Sequence, residues 1–298
     1  MPFFSIIIAT LNAEKTIHRC LASLVKQHFR SFEIRIVDGG STDRTLEYIA
    51  SFGSLPIYVT SEPDSGLYDA LNKGILTTSG QWINILGADD ELLPSALDTV
   101  KAAITRYPAD IYAGFARLID NQQQKTMRVD VCDFRTLVGA IPFCHNAMFA
   151  SRHAYEVVGL YDLSYKIVAD AHWVHRAIRA GMRFHTIERP LVHFYAGGVS
   201  ANPEQVLSES YSLIQENFPC LSVEEAQQLL FISKGWNDGA ELDNLLGRHP
   251  EEAELAHAAR AAKDYAPHCA QRRMERKSAP IELWKKIIRT IRGTVEKW

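Results

Sequence analysis

Phe3-Phe4-Ser5-Ile6-Ile7-Ile8-Ala9-Thr10-Leu11-Asn12 decides the fold: a short apolar run that ends on small polar residues reads as a buried first strand. Working outward, Phe32–Asp38, Ile57–Thr60 and Trp82–Leu86 repeat that pattern, while Glu14–His28, Asp43–Phe52 and Leu67–Thr78 between them read as helices. Ile17, Leu21, Leu24 and Val25 give the first of these helices an apolar stripe. Strand and helix alternating over the first hundred residues is the pattern of a parallel α/β layer fold. From about 111 to 200 the pattern loosens into mixed strands, Ile111–Leu118, Ala147–Phe149 and Leu191–Phe194, and one clear helix, Asp170–Ala180, that stops at Gly181.

The composition is that of a soluble globular chain: 298 residues, 47% hydrophobic and 22% charged. No apolar run reaches the roughly 18 residues that span a bilayer, so an integral membrane protein is not expected. No basic residue precedes the apolar start, and Asn12, Glu14 and Lys15 follow it in place of a small-residue cleavage site, which favours a cytoplasmic protein over a secreted one. The cysteines (Cys20, Cys132, Cys144, Cys220 and Cys269) are scattered and never spaced C-x-x-C, which predicts reduced thiols.

Charge divides the chain. Residues 271–298 carry nine Lys/Arg against three Glu, net +6; with a total of −3, the preceding 270 residues hold −9. An acidic body with a basic tail is not the pattern of a nucleic-acid-binding domain. After Pro203 the strand signals stop: 204–265 reads as helical and acidic, and Pro267–Pro280 as a basic linker. In 281–298, Ile281, Trp284, Ile287, Ile288, Ile291, Val295 and Trp298 share one helical stripe, with Lys285, Lys286, Arg289, Arg292 and Lys297 on or beside the other face. Such a basic amphipathic helix suits an anionic membrane surface, and equally a helix docked on its own domain or on a partner. The expected division is therefore an α/β domain over 1–203 and a helical extension over 204–298.

In an open α/β sheet, ligands bind beyond the carboxyl ends of the strands. Those ends carry Thr10-Leu-Asn12, Asp38-Gly-Gly-Ser-Thr-Asp43, Ser61-Glu-Pro-Asp64-Ser-Gly66 and Gly87-Ala-Asp89-Asp90-Glu91, so carboxylates gather along one edge. Neither the glycine fingerprint of a dinucleotide fold nor a P-loop is present. Asp89-Asp90 supplies hard oxygen ligands suited to Mg²⁺ or Mn²⁺ with a diphosphate. The same pair also suits a turn that opens a helix at Leu93-Pro94-Ser95.

The order of five motifs carries a resemblance: Ser5-Ile-Ile-Ile-Ala-Thr-Leu-Asn12, Ile36-Val-Asp-Gly-Gly-Ser-Thr-Asp43, Ser61-Glu-Pro-Asp-Ser-Gly66, Asn72-Lys-Gly74 and Leu86-Gly-Ala-Asp-Asp90. Together they resemble family 2 glycosyltransferases of the GT-A fold, a Rossmann-like mixed sheet flanked by helices. The run 61–74, with Pro142 to His145, Tyr161-Asp162, Tyr165-Lys166, Asp170 and Gly197-Gly-Val-Ser200, is similar to a bacterial subgroup that builds colanic-acid, capsule and O-antigen repeat units. The resemblance covers residues 3–200.

It implies an inverting transfer of a sugar from a nucleotide-diphosphate donor, UDP-linked by default, to a hydroxyl of a polyprenyl-diphosphate-linked saccharide, at the inner face of the plasma membrane. By position it implies that Thr10 and Asp38 contact the nucleotide base, Asp64 and Asp89 the donor, and that Asp90 ligates Mn²⁺ or Mg²⁺. Asp170 matches the general base, whose structural alternative is a helix N-cap. Two positions depart from the common pattern: Ala169 replaces an acid and Leu71 a basic residue. The lost cation throws neutralisation of the diphosphate onto metal, Lys73, His145 or His193, although Lys73 also reads as a solvated helix residue and the histidines as core. His172 and His175 read as surface residues, and 197–200 as a loop over the donor or a plain turn. Outside this resemblance, paired carboxylates also suit a glycoside hydrolase, and the two departures suit a non-catalytic, membrane-docked assembly subunit.

Overall fold

A computed structural model describes residues 1–120, 123–129, 132–139, 141–196, 202–234 and 240–274. The glycine loop 197–200 and the amphipathic helix expected over 281–298 lie outside the described residues.

The chain opens with β1 (Phe4–Thr10), α1 (Ile17–Val25), β2 (Phe32–Asp38), α2 (Thr45–Ala50), β3 (Ile57–Ser61), α3 (Leu67–Thr77) and β4 (Trp82–Ile85). It continues with β5 (Glu91–Leu92), α4 (Ala96–Arg106), β6 (Ile111–Asp120), β7 (Gln123–Met127), β8 (Met148–Ser151), α5 (Arg152–Val158), α6 (Ala169–Arg179) and β9 (Phe184–Tyr195). Four helices follow among the described residues: α7 (Pro203–Asn217), α8 (Val223–Ser233), α9 (Ala240–Arg248) and α10 (Ala253–Met274). Helix α10 runs through most of the stretch expected as a linker from Pro267.

The described strands form one sheet in the order β3-β2-β1-β4-β8-β6-β9-β5, with β7 added to β6. Strands β1 to β4 are mutually parallel where they pair, whereas β8 runs antiparallel to both β4 and β6. The sheet is therefore mixed, with helices on both faces, which is the GT-A arrangement. The strand order reverses between β1 and β4, and in open α/β sheets ligands bind beyond the carboxyl ends beside such a switch point.

Alternation along β1 assigns the two cores. Ile6 and Ile8 face a cluster with Leu21, Leu24, Ile34, Ile36 and Leu97, while Ile7 points to the opposite face, among Leu71, Ile83, Ile85 and Trp173. The second core also takes in Leu207, Leu229, Leu245 and Ala258, so the described part of the extension shares a core with the sheet domain. Gly74 lets α3 lie close on β1, because a Cβ there would stand 2.5 Å from Ile7 Cγ2.

Candidate functional site

Register brings the first three motifs together. Thr10 pairs with Asp38, and Asp38 with Ser61, so three polar residues line up at the carboxyl ends of β1, β2 and β3. Asp38 is fully buried. Its Oδ2 accepts from Gly40 N (3.1 Å), Ser41 N (2.9 Å) and Ser61 Oγ (2.7 Å), and its Oδ1 from Thr10 Oγ1 (3.1 Å) and Ser41 Oγ (2.5 Å). Burial pushes this carboxyl up, but the hydrogen bonds outweigh it and hold it below the usual carboxylate range. A carboxylate offers about four lone-pair sites, so a base N–H reaching Asp38 would have to displace a protein donor. The loop it shapes is closed from the other side by Asn12, whose φ of 51° is left-handed and whose Oδ1 accepts from Thr42 N at 2.9 Å.

Asp64 folds over this loop. Its Oδ1 accepts from Gly66 N at 2.9 Å, and its Oδ2 lies 2.6 Å from where a Cβ on Gly39 would sit, which explains the glycine at 39. Lys73 is held locally: its Nζ is 2.9 Å from Glu62 Oε1 and 3.4 Å from Asp69 Oδ2, and it donates to Pro63 O at 3.3 Å. Lys73, which the sequence leaves between the diphosphate and a solvated helix position, is thus engaged by carboxylates on its own side of α3.

Asp89 and Asp90 converge after β4. A Cβ on Gly87 would stand 2.8 Å from Asp89 Oδ1, 2.7 Å from Asp90 Oδ2 and 3.2 Å from Asn146 Nδ2, so the glycine leaves open a point on which all three groups bear. Asp90 is 1% exposed. Its Oδ1 accepts from Tyr195 N at 2.8 Å and its Oδ2 from Asn146 Nδ2. Burial, reinforced by the neighbouring Asp89 charge, pushes the Asp90 carboxyl up to about 8 despite those two bonds. A divalent cation with open positions fits such a site, since it would relieve a carboxylate that burial disfavours. His193 stands opposite Glu91 in the β5–β9 ladder, and burial holds its imidazole below its ordinary value. Among the described residues no three His, Cys, Asp or Glu side chains gather as a metal-binding group, so His193 does not complete one with Asp89 and Asp90.

Two neighbours of this corner were not singled out in the sequence. Asn146 was passed over beside His145. Arg19, from α1, donates to Asp89 O at 2.6 Å and lies 3.4 Å from Glu91 Oε1, with its guanidinium carbon 3.6 Å above the Tyr195 ring. A cation reaching the acidic corner from α1 carries no sequence signal, because the contact spans 70 residues.

Asp170 belongs to a second group. The α6 N-cap is Val168, so Asp170 is the second helical residue and not the cap. Its Oδ1 accepts from Ala171 N at 2.8 Å, and the single Tyr68 hydroxyl proton is shared between Ile167 O at 2.7 Å and Asp170 Oδ1 at 3.3 Å. His145 Nε2 meets the Tyr161 hydroxyl at 2.9 Å, which meets that of Tyr155 at 3.1 Å. The Asp170 charge acts on His145 and on Tyr161, so these groups share one neighbourhood. Burial lowers the His145 imidazole and the nearby Asp170 charge opposes it. Asn72 ties this region to α3 by exchanging two 2.9 Å bonds with the Tyr161 backbone.

His172 and His175 are buried, contrary to the surface placement expected for them: α7 covers the face of α6 that bears them. His172 Nε2 is 2.9 Å from Glu216 Oε1 and His175 Nδ1 2.8 Å from Asn217 Nδ2, and burial pushes His175 down to about 3. The described cysteines are free thiols.

Comparison with known proteins agrees with this architecture. Residues 5–154 match glycosyl transferase family 2. A PGL/p-HBAD biosynthesis glycosyltransferase of Mycobacterium tuberculosis is 35% identical over 176 residues, which is 57% of this chain and 67% of that protein. Among solved structures, Staphylococcus aureus TarS 1–349 in complex with UDP-GlcNAc superposes with a TM-score of 0.60 at 18% identity, covering 92% of each chain. The mannosyltransferase PcManGT of Pyrobaculum calidifontis, in complex with GDP-Man and Mn²⁺, gives 0.52 at 17% identity, covering 97% of this chain and 80% of that one. Family membership makes the chain a transferase, against the hydrolase and non-catalytic readings that its paired carboxylates and two departures left open. The chain belongs to glycosyl transferase family 2 and is a glycosyltransferase of GT-A fold.

Proposed function

We propose that the protein is an inverting, metal-assisted glycosyltransferase that takes its sugar from a nucleotide-diphosphate donor, UDP-linked in the first instance. The observation that carries this reading is the convergence of Asp89 and Asp90 at Gly87, with Asp90 buried and pushed up to about 8. The nucleoside enters the crevice at the ends of β1 and β2, where Thr10 and the loop shaped by Asp38 and Asn12 present polar groups to base and ribose. Asp64 and Asp89 border the donor. Asp90 would hold Mn²⁺ or Mg²⁺, which supplies neutralisation of the leaving diphosphate. Binding of UDP-GlcNAc by TarS and of GDP-Man with Mn²⁺ by PcManGT supports the donor class.

Asp170 is the base. It accepts the proton of an acceptor hydroxyl as that oxygen attacks the anomeric carbon from the face opposite the diphosphate. One C–O bond forms, the C–O bond to phosphate breaks, and the nucleoside diphosphate leaves with the electron pair, so configuration inverts. His145 and Tyr161 border the same space and orient the acceptor.

The acceptor in this reading is a lipid-linked saccharide of bacterial surface-polysaccharide synthesis, met at the inner face of the plasma membrane. The stripe of 281–298 supports this placement from sequence. No helix among the described residues is long and apolar enough to cross a membrane. The test is release of free nucleotide (the diphosphate from UDP-, GDP- and dTDP-linked sugars, CMP from a CMP-linked sugar), with Mn²⁺ or EDTA, with and without polyprenyl-diphosphate-linked saccharides. Transfer with one nucleotide class, dependent on metal and lost in D170N, is the expected result. Metal-independent transfer, or full activity of D170N, contradicts it.

A further inference from the structure

Helix α6, which carries Asp170, has no side-chain cap of its own. The backbone just ahead of it is held by a residue from the extension. Glu209, on α7, accepts from three successive amides: Lys166 N (3.1 Å to each oxygen), Ile167 N (2.8 Å) and Val168 N (3.0 Å). Gln205, one turn earlier, fixes the carboxylate by donating to Oε1 at 2.9 Å. Successive N–H groups at a helix start form an anion receptor, here filled by a protein carboxylate. Burial raises the Glu209 carboxyl, but the amide bonds prevail and keep it below the usual range, so it remains ionised.

The clamp reaches Asp170 through one peptide unit. Ile167 gives its N–H to Glu209, while its carbonyl accepts from the Tyr68 hydroxyl at 2.7 Å, and that hydroxyl stands 3.3 Å from Asp170 Oδ1. Glu209 therefore fixes a backbone segment that fixes Tyr68, which in turn fixes the carboxylate. Ala169, where an acid was expected, is fully buried and contributes nothing polar. A carboxylate supplied from a different helix organises the same turn.

We infer that Glu209 is a positioning residue for the Asp170 base, so that the helical extension completes the active site of the sheet domain. The inference rests on Asp170 acting as the base. Glu209→Gln keeps the volume but presents one amide NH₂ to backbone donors. In this variant the amides of Lys166–Val168 should exchange about tenfold faster than in wild type. Release of nucleoside diphosphate to water from UDP-GlcNAc or GDP-mannose, with Mn²⁺, should show kcat lowered about tenfold and donor KM unchanged. Glu209→Asp should recover part of both. Glu216→Gln, which disturbs the α6–α7 contact at Tyr165 and His172 instead, should leave kcat alone.

Equal loss in E209Q and E216Q, or unchanged amide exchange in E209Q, overturns the inference. If D170N is as active as wild type, the base reading fails instead, and amide exchange still decides whether the clamp exists.

Discussion

The Tyr68 hydroxyl bridges Ile167 O and Asp170 Oδ1, at 2.7 and 3.3 Å, so a residue at the start of α3 restrains the carboxylate at the start of α6. The two lie 102 positions apart, and Tyr68 shares the second core with Val168 and Ala169, which precede Asp170. Burial raises the Tyr68 phenol, and the Asp170 charge adds to it, so the hydroxyl remains a donor throughout the physiological range. Tyr68→Phe should lower kcat about tenfold with donor KM nearly constant, because a hydrogen bond at the base is lost while the donor crevice is untouched. A matching rise in KM would place Tyr68 at the donor instead.

Gly87→Ala tests the acidic corner by volume alone. The added methyl would lie 2.7 and 2.8 Å from Asp90 Oδ2 and Asp89 Oδ1, and must push both carboxylates apart. Isothermal titration should show Mn²⁺-dependent nucleotide binding weakened by about 100-fold or more, equivalent to roughly 3 kcal/mol. Wild-type affinity in this variant would show that the two carboxylates do not act on one ligand.

Asp90 makes a prediction about stability. Its carboxyl stays protonated in the folded chain up to about 8, whereas in the unfolded chain it ionises near 4. Between those values the folded state holds the extra proton, so this group's contribution falls as pH rises, by up to roughly 1.4 kcal/mol per pH unit. In EDTA, Asp90→Asn should therefore be more stable than wild type at pH 8, with a flatter dependence of Tm between pH 5.5 and 8. Parallel Tm curves for the two proteins would contradict the burial argument.

Asn12 tests the loop at the carboxyl ends of β1 and β2. Its φ of 51° suits Asn or Gly, so Asn12→Gly should fold normally, whereas the β-branched Asn12→Val should lose about 1–3 kcal/mol in urea unfolding. Equal stability of the two variants would remove backbone strain as the reason for an asparagine there.

How far the fold was legible follows from particular elements. Phe32–Asp38 was bounded to the residue, because an apolar run flanked by polar turns has few other readings. Strand β7, Gln-Gln-Lys-Thr-Met, was missed: it is polar, and its ladder with β6 comes from pairing and not from propensity. Helix α5 was missed although Ser151 caps it by accepting from Ala154 N, a signal the sequence does display. Asp38, Asp64, Asp89 and Asp90 lie at or just beyond the strand ends where the sequence places them, because strand ends mark themselves. Lys73 was read as a diphosphate contact or a solvated helix residue; Asp69, four residues earlier on α3, shows in the sequence as an i,i+4 partner, whereas Glu62 shows only in three dimensions. Glu209 and Arg19 were missed for the same reason, since each acts across tens of residues on a backbone group.

The central claim is that Asp90 binds the donor's diphosphate through a divalent cation. Thermal shift of wild type and Asp90→Asn with UDP-, GDP-, dTDP- and CMP-linked sugars, each with Mn²⁺ and with EDTA, tests it most directly. A ligand at about 100 times its Kd adds roughly 2.7 kcal/mol, a rise of about 5 °C for a chain of this size. That rise is expected for one nucleotide class, with Mn²⁺ and in wild type only. The same rise in EDTA, or in Asp90→Asn, would contradict it.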